Sequence, residues 1–562
     1  MPPSIVTLEQ ALAALTAERE KVAELTRERD HLRASHERLR LELELLRRRI
    51  FIAKAERVDT RQLELDFAAT LAALDQLAGL PPASADSNGE GGKPAPKGKN
   101  KPTGRRDLSK LPLEEERVEI TDELFEKLVA EGKAERIGFE VSYKLAYKRG
   151  GIRRLVIARA NYRAIGKDGE AQIETAPMPP ECFPRSLAAP SMLAHVLSEK
   201  YTDGLPLNRI EDRAARDGVA LDRGTMCRWV EDAGATAGTT VIAAARKEAF
   251  ETAFCIATDA TGIAVQPERR PDGAHQACRR GHYFVLIADK DHIFYEYTPK
   301  ETSAFVEEMF RGYSGYVQAD AKSVYDVLFR EPEKPPGEDD VDKRDEVGCM
   351  SHCRRKFWEA TCAKSEVARE GLARLGRIFA LEEAWRSDSP ETIKRLRNQH
   401  LRPHLVAFFA WAVAEYEKVR DQRGLLRSAL GYAVRQQVAL MRVLDDGRLV
   451  LENNRSERAL RKIAVGRNAW LFVGSDAHAE SAGHILSLIA SARLHCLDPE
   501  AYLRDLFRVL AHWPRDRYLE LAPRYWAKTR VRLDSRELAA EIGPVTVPPP
   551  LAAQSEQQTT AD

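Results

Sequence analysis

Two stretches that each end on an aspartate, FCIATD at 254–259 and GYVQAD at 315–320, decide the fold of the second half of the chain. Alternating apolar residues predict the elements between them: strands at 283–288 and 293–297 and a helix at 302–310. The order is therefore β-β-β-α-β. In a ribonuclease-H-like sheet three antiparallel strands precede a helix and a parallel strand, and the first and fourth strands are neighbours. We expect Asp259 and Asp320 to face each other there.

Facing carboxylates are costly to keep ionised without a cation. Their oxygens suit Mg²⁺, and Mn²⁺ can substitute. Two such ions, about 3.5 to 4 Å apart, can activate an oxygen nucleophile and stabilise the leaving oxygen of a phosphodiester. The plain alternative is that Asp259 and Asp320 are turn residues at strand ends, a position that aspartate favours.

A fifth strand is predicted at 347–350 and leads into a helix. Cys349, His352 and Cys353 lie close together there, but no second pair at zinc-ligand spacing follows nearby, so we expect no zinc. The helix also carries three basic candidates for phosphate contacts, with a solvated helix face as the alternative: Arg354, Arg355 and Lys356.

Residues 355–445 are strongly helical in pattern and predict an all-helical insertion in a catalytic domain of 250–495. After it, Asn454 and Glu457 have the spacing of a capping box at a helix start. Glu457 is our preferred third metal ligand. Two other carboxylates, Glu359 and Glu452, compete with it for this role. Arg458 and Arg461 flank Glu457 and are candidate phosphate contacts.

Residues 205–234 read LPLNRIEDRAARDGVALDRGTMCRWVEDAG and predict two short helices joined by a glycine-containing turn. This is the pattern of a helix-turn-helix, which we place in a DNA-binding region at 185–240. Arg223 and Arg228, on the second helix, are the residues expected near the groove. A plain pair of packed helices is the alternative.

Within residues 5–52, apolar residues recur at intervals of seven positions, and a second apolar series with the same interval lies three positions after the first. The first set is Leu8, Leu15, Val22, Leu43 and Ile50, and the second is Leu25, Leu32, Leu39 and Leu46. This seam predicts a coiled coil that forms a homodimer or a higher oligomer. A helix packed on its own protein is the alternative.

Residues 81–112 have no apolar period and predict a disordered basic linker. Seven Lys or Arg against three Asp or Glu at 85–110 give a local charge of +4, which could lie on phosphate or be simply solvated. The other predicted segments are a small β-containing domain at 113–180, a helical region at 496–540 and a disordered tail at 541–562. Within the first of these, short β-type runs stand at 143–147 and 154–158.

The chain of 562 residues is 43% hydrophobic and 31% charged, which indicates a globular protein. No apolar run approaches the roughly 20 residues that span a bilayer, and the first residues lack the pattern of a secretory signal. We expect no membrane partner, a cytoplasmic location and reduced cysteines. The 87 basic and 86 acidic residues give a net charge of +1, so DNA binding must come from local patches.

Several blocks resemble the transposases of the insertion sequence 66 family over nearly the whole chain. The most specific are LENNRSERALRKIAVGRNAWLFVGSD at 451–476 and LHCLDPEAYLRDLF at 494–507. The resemblance implies an α+β multidomain DNA strand-transfer enzyme of DDE type, in which Asp259, Asp320 and Glu457 are the acidic triad. It implies as partners the terminal repeats of the element, target DNA and the nucleoid, and leaves open a need for accessory proteins encoded by the same element.

The chain departs from the family pattern at three places. Members commonly have a cysteine-rich zinc finger before the helix-turn-helix, whereas residues 113–180 contain no cysteine. The first acidic motif, usually Asp-Glu-Thr, reads Asp259-Ala260-Thr261, and the third, usually Asp-Asn-Asn, begins with Glu452. The second change places a rival carboxylate five positions before Glu457.

Three functions are consistent with these residues. The leading one is a Mg²⁺-dependent transposase that binds terminal repeats, cleaves a strand and joins it to target DNA. The second is a structure-selective nuclease on the same fold, which shares the triad and lacks strand joining. The third is an inactive, DNA-binding, coiled-coil remnant of a transposase. The intact carboxylates argue against the third.

Overall fold

The structure is a computed structural model that describes residues 21–22, 113–148, 150–165, 171–267, 276–330, 343–361 and 365–551. Residues 21–22 are helical; the rest of the predicted coiled coil at 5–52 and the linker at 81–112 lie outside the described residues. All strands and helices named below belong to one compact unit, Arg105–Asp562. They include two sheets with parallel and antiparallel pairings, which confirms the α+β prediction.

The first sheet is built around one long central strand. Its elements are β1 (Glu115–Ile120), α1 (Glu123–Ala130), β2 (Ala134–Lys148), β3 (Gly151–Ile165) and β4 (Ala171–Thr175). Strand β3 pairs in parallel with β1 and antiparallel with β2 and β4. The short runs predicted at 143–147 and 154–158 are wrong in extent, because β2 and β3 each have 15 residues. Pairing to β3 holds the outer half of β2 in strand form although Glu135, Arg136 and Ile137 are all exposed.

Helix α1 covers an apolar face of this sheet. Phe125 stacks on Tyr162 with ring centroids 5.2 Å apart. The Tyr162 hydroxyl donates to the Glu126 carboxylate at 2.7 Å and accepts from the Asp122 N–H at 3.0 Å. Around them lie the buried residues Ile120, Ala146, Leu155, Ile157, Ala160 and Ala176. An apolar core therefore fills the space between helix α1 and the first sheet.

Removing divalent metal should leave this first sheet folded, because its core offers no thiolate ligand. Hydrogen–deuterium exchange of residues 151–165 in the full chain, with and without excess EDTA, should show the same protection. Loss of protection in EDTA, or one zinc per chain by elemental analysis, would contradict this prediction and redirect attention to Cys349, His352 and Cys353.

Four helices connect the two sheets: α2 (Pro190–Tyr201), α3 (Leu207–Arg216), α4 (Arg223–Ala237) and α5 (Ala243–Thr252). The turn between α3 and α4 contains Gly218 at φ +78°, a left-handed conformation that glycine adopts without strain. Helix α4 begins after Asp222, whose carboxylate accepts the N–H of Thr225 at 2.9 Å. Ala214 and Trp229 are buried in the core below the turn, so the predicted helix pair is present.

The second sheet has a single helix between its third and fourth strands. Its elements are β5 (Cys255–Val265), β6 (Arg279–Ala288), β7 (His292–Thr298), α6 (Ser303–Met309), β8 (Gly315–Gln318) and β9 (Arg344–Val347). The strands lie in the order β7-β6-β5-β8-β9. Strands β5, β6 and β7 pair antiparallel, whereas β8 pairs in parallel with β5 and β9. The predicted β-β-β-α-β order and the adjacency of its first and fourth strands are confirmed.

Two strand ends differ from the prediction. Strand β5 continues past Asp259, because β6 pairs with it as far as Val265 while β8 pairs only with Cys255–Ala257. Strand β9 ends at Val347 instead of 350, because Met350 already begins the next helix and its N–H donates to the Leu451 carbonyl at 2.8 Å.

Helices with a core of their own follow β9. They are α7 (Met350–Thr361), α8 (Glu366–Ala384), α9 (Pro390–Leu396), α10 (Arg402–Val419), α11 (Leu425–Arg435) and α12 (Gln437–Met441). Among the side chains buried between them are Phe357, Leu375, Leu405, Phe408 and Leu430.

A buried arginine ties these helices to the loop that leads back to the second sheet. Arg397 is 1% exposed. Its guanidinium donates to the backbone carbonyls of Val443 and Leu449, both at 2.8 Å, and of Asp446 at 3.0 Å. It also donates to Glu382, with Nε at 3.0 Å. One side chain thus binds three backbone carbonyls between residues 443 and 449.

The next helix, α13 (Asn454–Trp470), is anchored to β5 at both ends. At its start the Asn453 amide donates to the Thr258 carbonyl at 2.8 Å. After its end, Val473 donates its N–H to Ala264 at 2.8 Å and accepts that of Gln266 at 2.8 Å. The anchors fix the direction of α13 along β5. Helix α14 (Asp476–Leu494) then packs on β7, where Ser487 accepts the Tyr295 N–H at 2.8 Å.

The chain continues through α15 (Pro499–Val509), α16 (Pro523–Arg530) and α17 (Ser535–Ala539). The prediction of a disordered tail from residue 541 is wrong for 541–551. Ile542 is buried, Arg508 donates to the Pro544 carbonyl at 3.1 Å, and Arg517 donates to the Pro548 carbonyl at 2.8 Å. Arginines on the preceding elements thus hold a proline-rich segment by its carbonyls. Residues 552–562 lie outside the described residues.

In the part of the chain that the structure describes, no helix is both long enough and apolar enough to cross a bilayer.

Candidate catalytic site

Asp259 and Asp320 meet in the second sheet where the parallel pairing of β5 and β8 ends. We call this place, with the side chains around the two aspartates, the carboxylate edge. The last parallel pair between β5 and β8 is Ala257 with Gln318, and each aspartate follows two residues later, so the register brings both to the same place. The Lys322 ammonium lies 3.8 Å from one carboxylate oxygen of Asp259 and 3.7 Å from one of Asp320. The two carboxylates therefore share one cation.

The environment of this pair suits positive charge. Burial raises the pKa of Asp259; a hydrogen bond from the Ala260 N–H, at 2.7 Å, and the charge of Lys322 oppose that rise, while the charge of Asp320 adds to it. The other carboxylate oxygen of Asp320, Oδ1, is buried and has no hydrogen-bond partner. A further cation would satisfy that oxygen and offset the repulsion between the two carboxylates.

Glu457 stands in the first turn of α13 and turns towards α7. Its carboxylate accepts from Arg355 Nη2 at 3.1 and 3.3 Å and lies 3.6 Å from His352 Nε2. The charge of His352 opposes in part the rise that burial causes in the pKa of Asp259. His352 thus interacts with both Asp259 and Glu457.

The capping box suggested by Asn454 and Glu457 is absent. Helix α13 begins one residue earlier than that pattern requires, with Asn453 at the N-cap position and no side-chain cap. The Asn453 side chain instead binds Ser456 and the Thr258 carbonyl. Its backbone N–H donates to the Cys349 sulfur at 3.2 Å. Tertiary contacts, rather than a local cap, position the first turn that carries Glu457.

The two rival carboxylates are placed differently. Glu452 precedes α13 and accepts from the Ser351 hydroxyl at 3.0 Å. Glu359 is exposed on α7, two turns and so about 10 Å along the helix from His352. In the described part of the chain, no group of three or more His, Cys, Asp or Glu side chains lies close enough to hold one metal ion as it stands.

The candidate phosphate-binding residues divide into two groups. Arg354 lies over the Phe379 ring and Lys356 over the Tyr432 ring, at 5.3 Å each, so both lean on the helical region. Arg355 alone of this run reaches Glu457. Arg458 and Arg461 are exposed on α13.

The helix pair α3–α4 presents its two candidate arginines on the surface. Arg223 forms an ion pair with Glu211 at 3.0 Å, and Arg228 donates to the Thr225 hydroxyl at 3.1 Å. Both contacts lie at the exposed start of α4, away from the buried Trp229. The structure does not bring these residues to the carboxylate edge through any contact that it describes.

Three residues at the carboxylate edge were not expected there from the sequence. They are Lys322, His352 and Glu301; the last lies 3.7 Å from both Lys322 and His282. The position of Lys322 two residues after Asp320 is a signal that could have found it. His352 drew attention only as a zinc candidate, yet Cys353 is fully buried, which raises the pKa of its thiol.

Comparison with known proteins identifies the family. Residues 185–481 match the profile of the family described as Transposase IS66 family, and residues 487–524 match its IS66 C-terminal element. The chain therefore belongs to the IS66 family of transposases.

Three relatives from Sinorhizobium fredii (strain NBRC 101917 / NGR234) carry only the names of uncharacterized proteins. The chain is 26% identical to y4hP over 64% of its own length and 66% of that protein. It is 25% identical to y4jD over 83% of its own length and 90% of that protein. No solved structure matches the chain.

Proposed function

We propose that this transposase cleaves DNA at the ends of its own insertion sequence and joins the cut strand to target DNA in a Mg²⁺-dependent reaction. The observation that carries the proposal is the pair of half-buried carboxylates, Asp259 and Asp320, which share one cation where the parallel pairing of β5 and β8 ends. The family membership supports it.

The sheet supports a ribonuclease-H-like assignment for this domain. Three antiparallel strands are followed by two parallel ones, with the first and fourth in contact. That arrangement is the one expected for a ribonuclease-H-like sheet, with Asp259 on β5 and Asp320 two residues after β8. The helices α8–α12 follow β9 and precede α13 in the chain, which supports the proposed all-helical insertion.

The residues present fit a divalent cation. Asp259 and Asp320 offer hard oxygen donors of which one is buried without a partner, and Glu457 is the third candidate ligand. When bound, two Mg²⁺ ions would supply charge stabilisation for the entering and leaving oxygens of a phosphodiester. For Glu457 to bind metal together with Asp259 and Asp320, its carboxylate must leave Arg355, with which it forms an ion pair.

The chain's own cations have a separate part in the reaction. Arg355, once released from Glu457, can contact a phosphate oxygen, since guanidinium groups bind phosphate in a bidentate way. Arg458 and Arg461 follow Glu457 on the exposed side of α13 and can hold the backbone further along. Phosphoryl transfer depends mainly on such positioning and on charge stabilisation.

A strand-transfer assay tests the proposal. The full chain is incubated with a labelled duplex of the element end and a target plasmid, with and without Mg²⁺. We expect joined product only with Mg²⁺, and none from Asp259→Asn, which still shifts the duplex in a gel. Cleavage without joining would instead indicate a nuclease, and a Mg²⁺-independent shift alone would indicate an inactive remnant.

The α3–α4 pair is proposed to bind the element ends through α4 in the major groove. Loss of charge in the double variant Arg223→Ala/Arg228→Ala should weaken binding about tenfold or more at low salt, because each phosphate contact releases counterions. Fluorescence anisotropy over a series of salt concentrations should also show a shallower salt dependence.

Lys247→Ala supplies the control, since Lys247 is a similarly exposed cation on α5 that pairs only loosely with Glu251 at 4.0 Å. It should bind as the parent does. If the double variant binds equally well, α3–α4 is a structural helix pair and the ends are held elsewhere.

A further inference from the structure

A lysine occupies the centre of the carboxylate edge. The Lys322 ammonium lies 3.8 Å from Asp259, 3.7 Å from Asp320 and 3.7 Å from Glu301. One positive charge therefore faces three negative ones. None of these distances reaches the 2.7 to 3.2 Å usual for a hydrogen bond, so the lysine is held there by charge and not by directed bonds.

The backbone of Lys322 is fixed, whereas its side chain can move. Its N–H donates to the Asp320 carbonyl at 2.8 Å, and its carbonyl accepts from the Tyr325 N–H at 3.0 Å. Tyr325 and Leu328 anchor the short 3₁₀ helix that follows, Ser323–Phe329, in the core. The side chain of Lys322 is 43% exposed. Its ammonium can therefore swing away from the aspartates without disturbing the fold.

Glu301 is an alternative ion-pair partner for the Lys322 ammonium. It stands just before α6, and it is also within 3.7 Å of His282. If the aspartates take another cation, Lys322 keeps Glu301 as its partner and stays at the rim of the site. From there it can meet the DNA phosphate that approaches the same edge.

We propose that Lys322 is a built-in countercation, which holds Asp259 and Asp320 together in the metal-free protein and competes with divalent metal for them. The inference rests on the proposed function, because it takes the same carboxylates as metal ligands. It adds a means of regulating that site. Metal binds to the aspartates only when the Lys322 ammonium moves away, so Lys322 sets the metal concentration at which the site fills.

Metal binding tests the proposal without any measurement of activity. Isothermal titration calorimetry with MgCl₂, and with MnCl₂ as a second probe, would compare the full-length parent with Lys322→Met and Lys322→Arg. Removal of the competitor should tighten metal binding in Lys322→Met about tenfold, a coupling of ordinary size. Lys322→Arg keeps the charge and should remain near the parent.

A second measurement follows the metal-free state. Without the lysine, the two half-buried carboxylates repel each other with no cation between them, so metal-free Lys322→Met should melt at a lower temperature than the parent. Added Mg²⁺ should raise its melting temperature by more than it raises that of the parent, because tighter binding to the folded state stabilises it more.

Lys300→Met is the matched control. Lys300 is exposed one residue before Glu301, so this variant measures the effect of losing one positive charge near the site. If Lys322→Met binds metal no more tightly than Lys300→Met, competition by Lys322 is wrong while the metal site stands. If the parent and every variant bind no metal, both this inference and the proposed function are wrong.

Discussion

Glu457→Gln should abolish Mg²⁺-dependent cleavage of an element end, with a loss of about 10³-fold or more, because stabilisation of charge is the largest contribution in phosphoryl transfer. The substitution keeps the size of the side chain and removes the charge that a metal ligand needs. Because Glu457 does not cap α13, the fold and the affinity for DNA should be unchanged. A cleavage assay with labelled duplex, a gel shift and circular dichroism measure the three properties.

Two matched variants decide between the candidate carboxylates. Glu452→Gln removes the charge but keeps an oxygen that can accept from the Ser351 hydroxyl, and Glu359→Gln alters an exposed residue two turns along α7. Both should keep cleavage within about tenfold of the parent, below the loss typical of a group that stabilises the transition state. Loss of cleavage in Glu452→Gln with full activity in Glu457→Gln would reverse our assignment.

Arg397→Met should be among the most destabilising single substitutions in the helical region. It leaves the carbonyls of Val443, Asp446 and Leu449 without their buried donor and Glu382 without its partner. Removing one member of a buried ionic network costs about 3 to 5 kcal/mol. Urea unfolding followed by tryptophan fluorescence should show the helical region unfolding first. Hydrogen exchange of residues 443–451 should accelerate.

The control for this variant lies on the next helix. Arg402 is exposed and bonds the Asn398 side chain with Nε at 3.1 Å, so Arg402→Met should change stability by less than about 0.5 kcal/mol. If Arg397→Met unfolds like Arg402→Met, the loop is held by its apolar residues, Val443, Leu444 and Leu449, and not by the guanidinium.

The sheet that carries the candidate site was largely predictable. Apolar runs such as Tyr283–Ala288 mark strands because they are buried on both faces, and chain order then determines which strands are neighbours. The full length of β5 was not predictable. Its second half reads ATGIAV after Asp259, a mixed pattern that becomes a strand only because β6 and Val473 pair with it.

The contacts that complete the candidate site could not be predicted in the same way. The spacing of Asn454 and Glu457 suggested a local cap, but contacts of Asn453 with Thr258 and Cys349, some 200 and 100 positions away, decide the helix start. The arginine contacts that order residues 541–551 are likewise non-local. Local patterns indicate elements; they do not indicate which distant carbonyl or carboxylate a side chain will meet.

The two anchors between α13 and β5 restrict how this chain can change length in evolution. The 17 residues of α13 span about 25 Å at about 1.5 Å per residue. The part of β5 from Thr258 to Val265 spans about 26 Å at about 3.3 Å per residue. Because the two lengths match, one inserted or deleted residue in either segment would pull an anchor apart or move Glu457 away from Asp259. Substitutions can accumulate there, whereas gaps in alignments of family members should fall outside both segments.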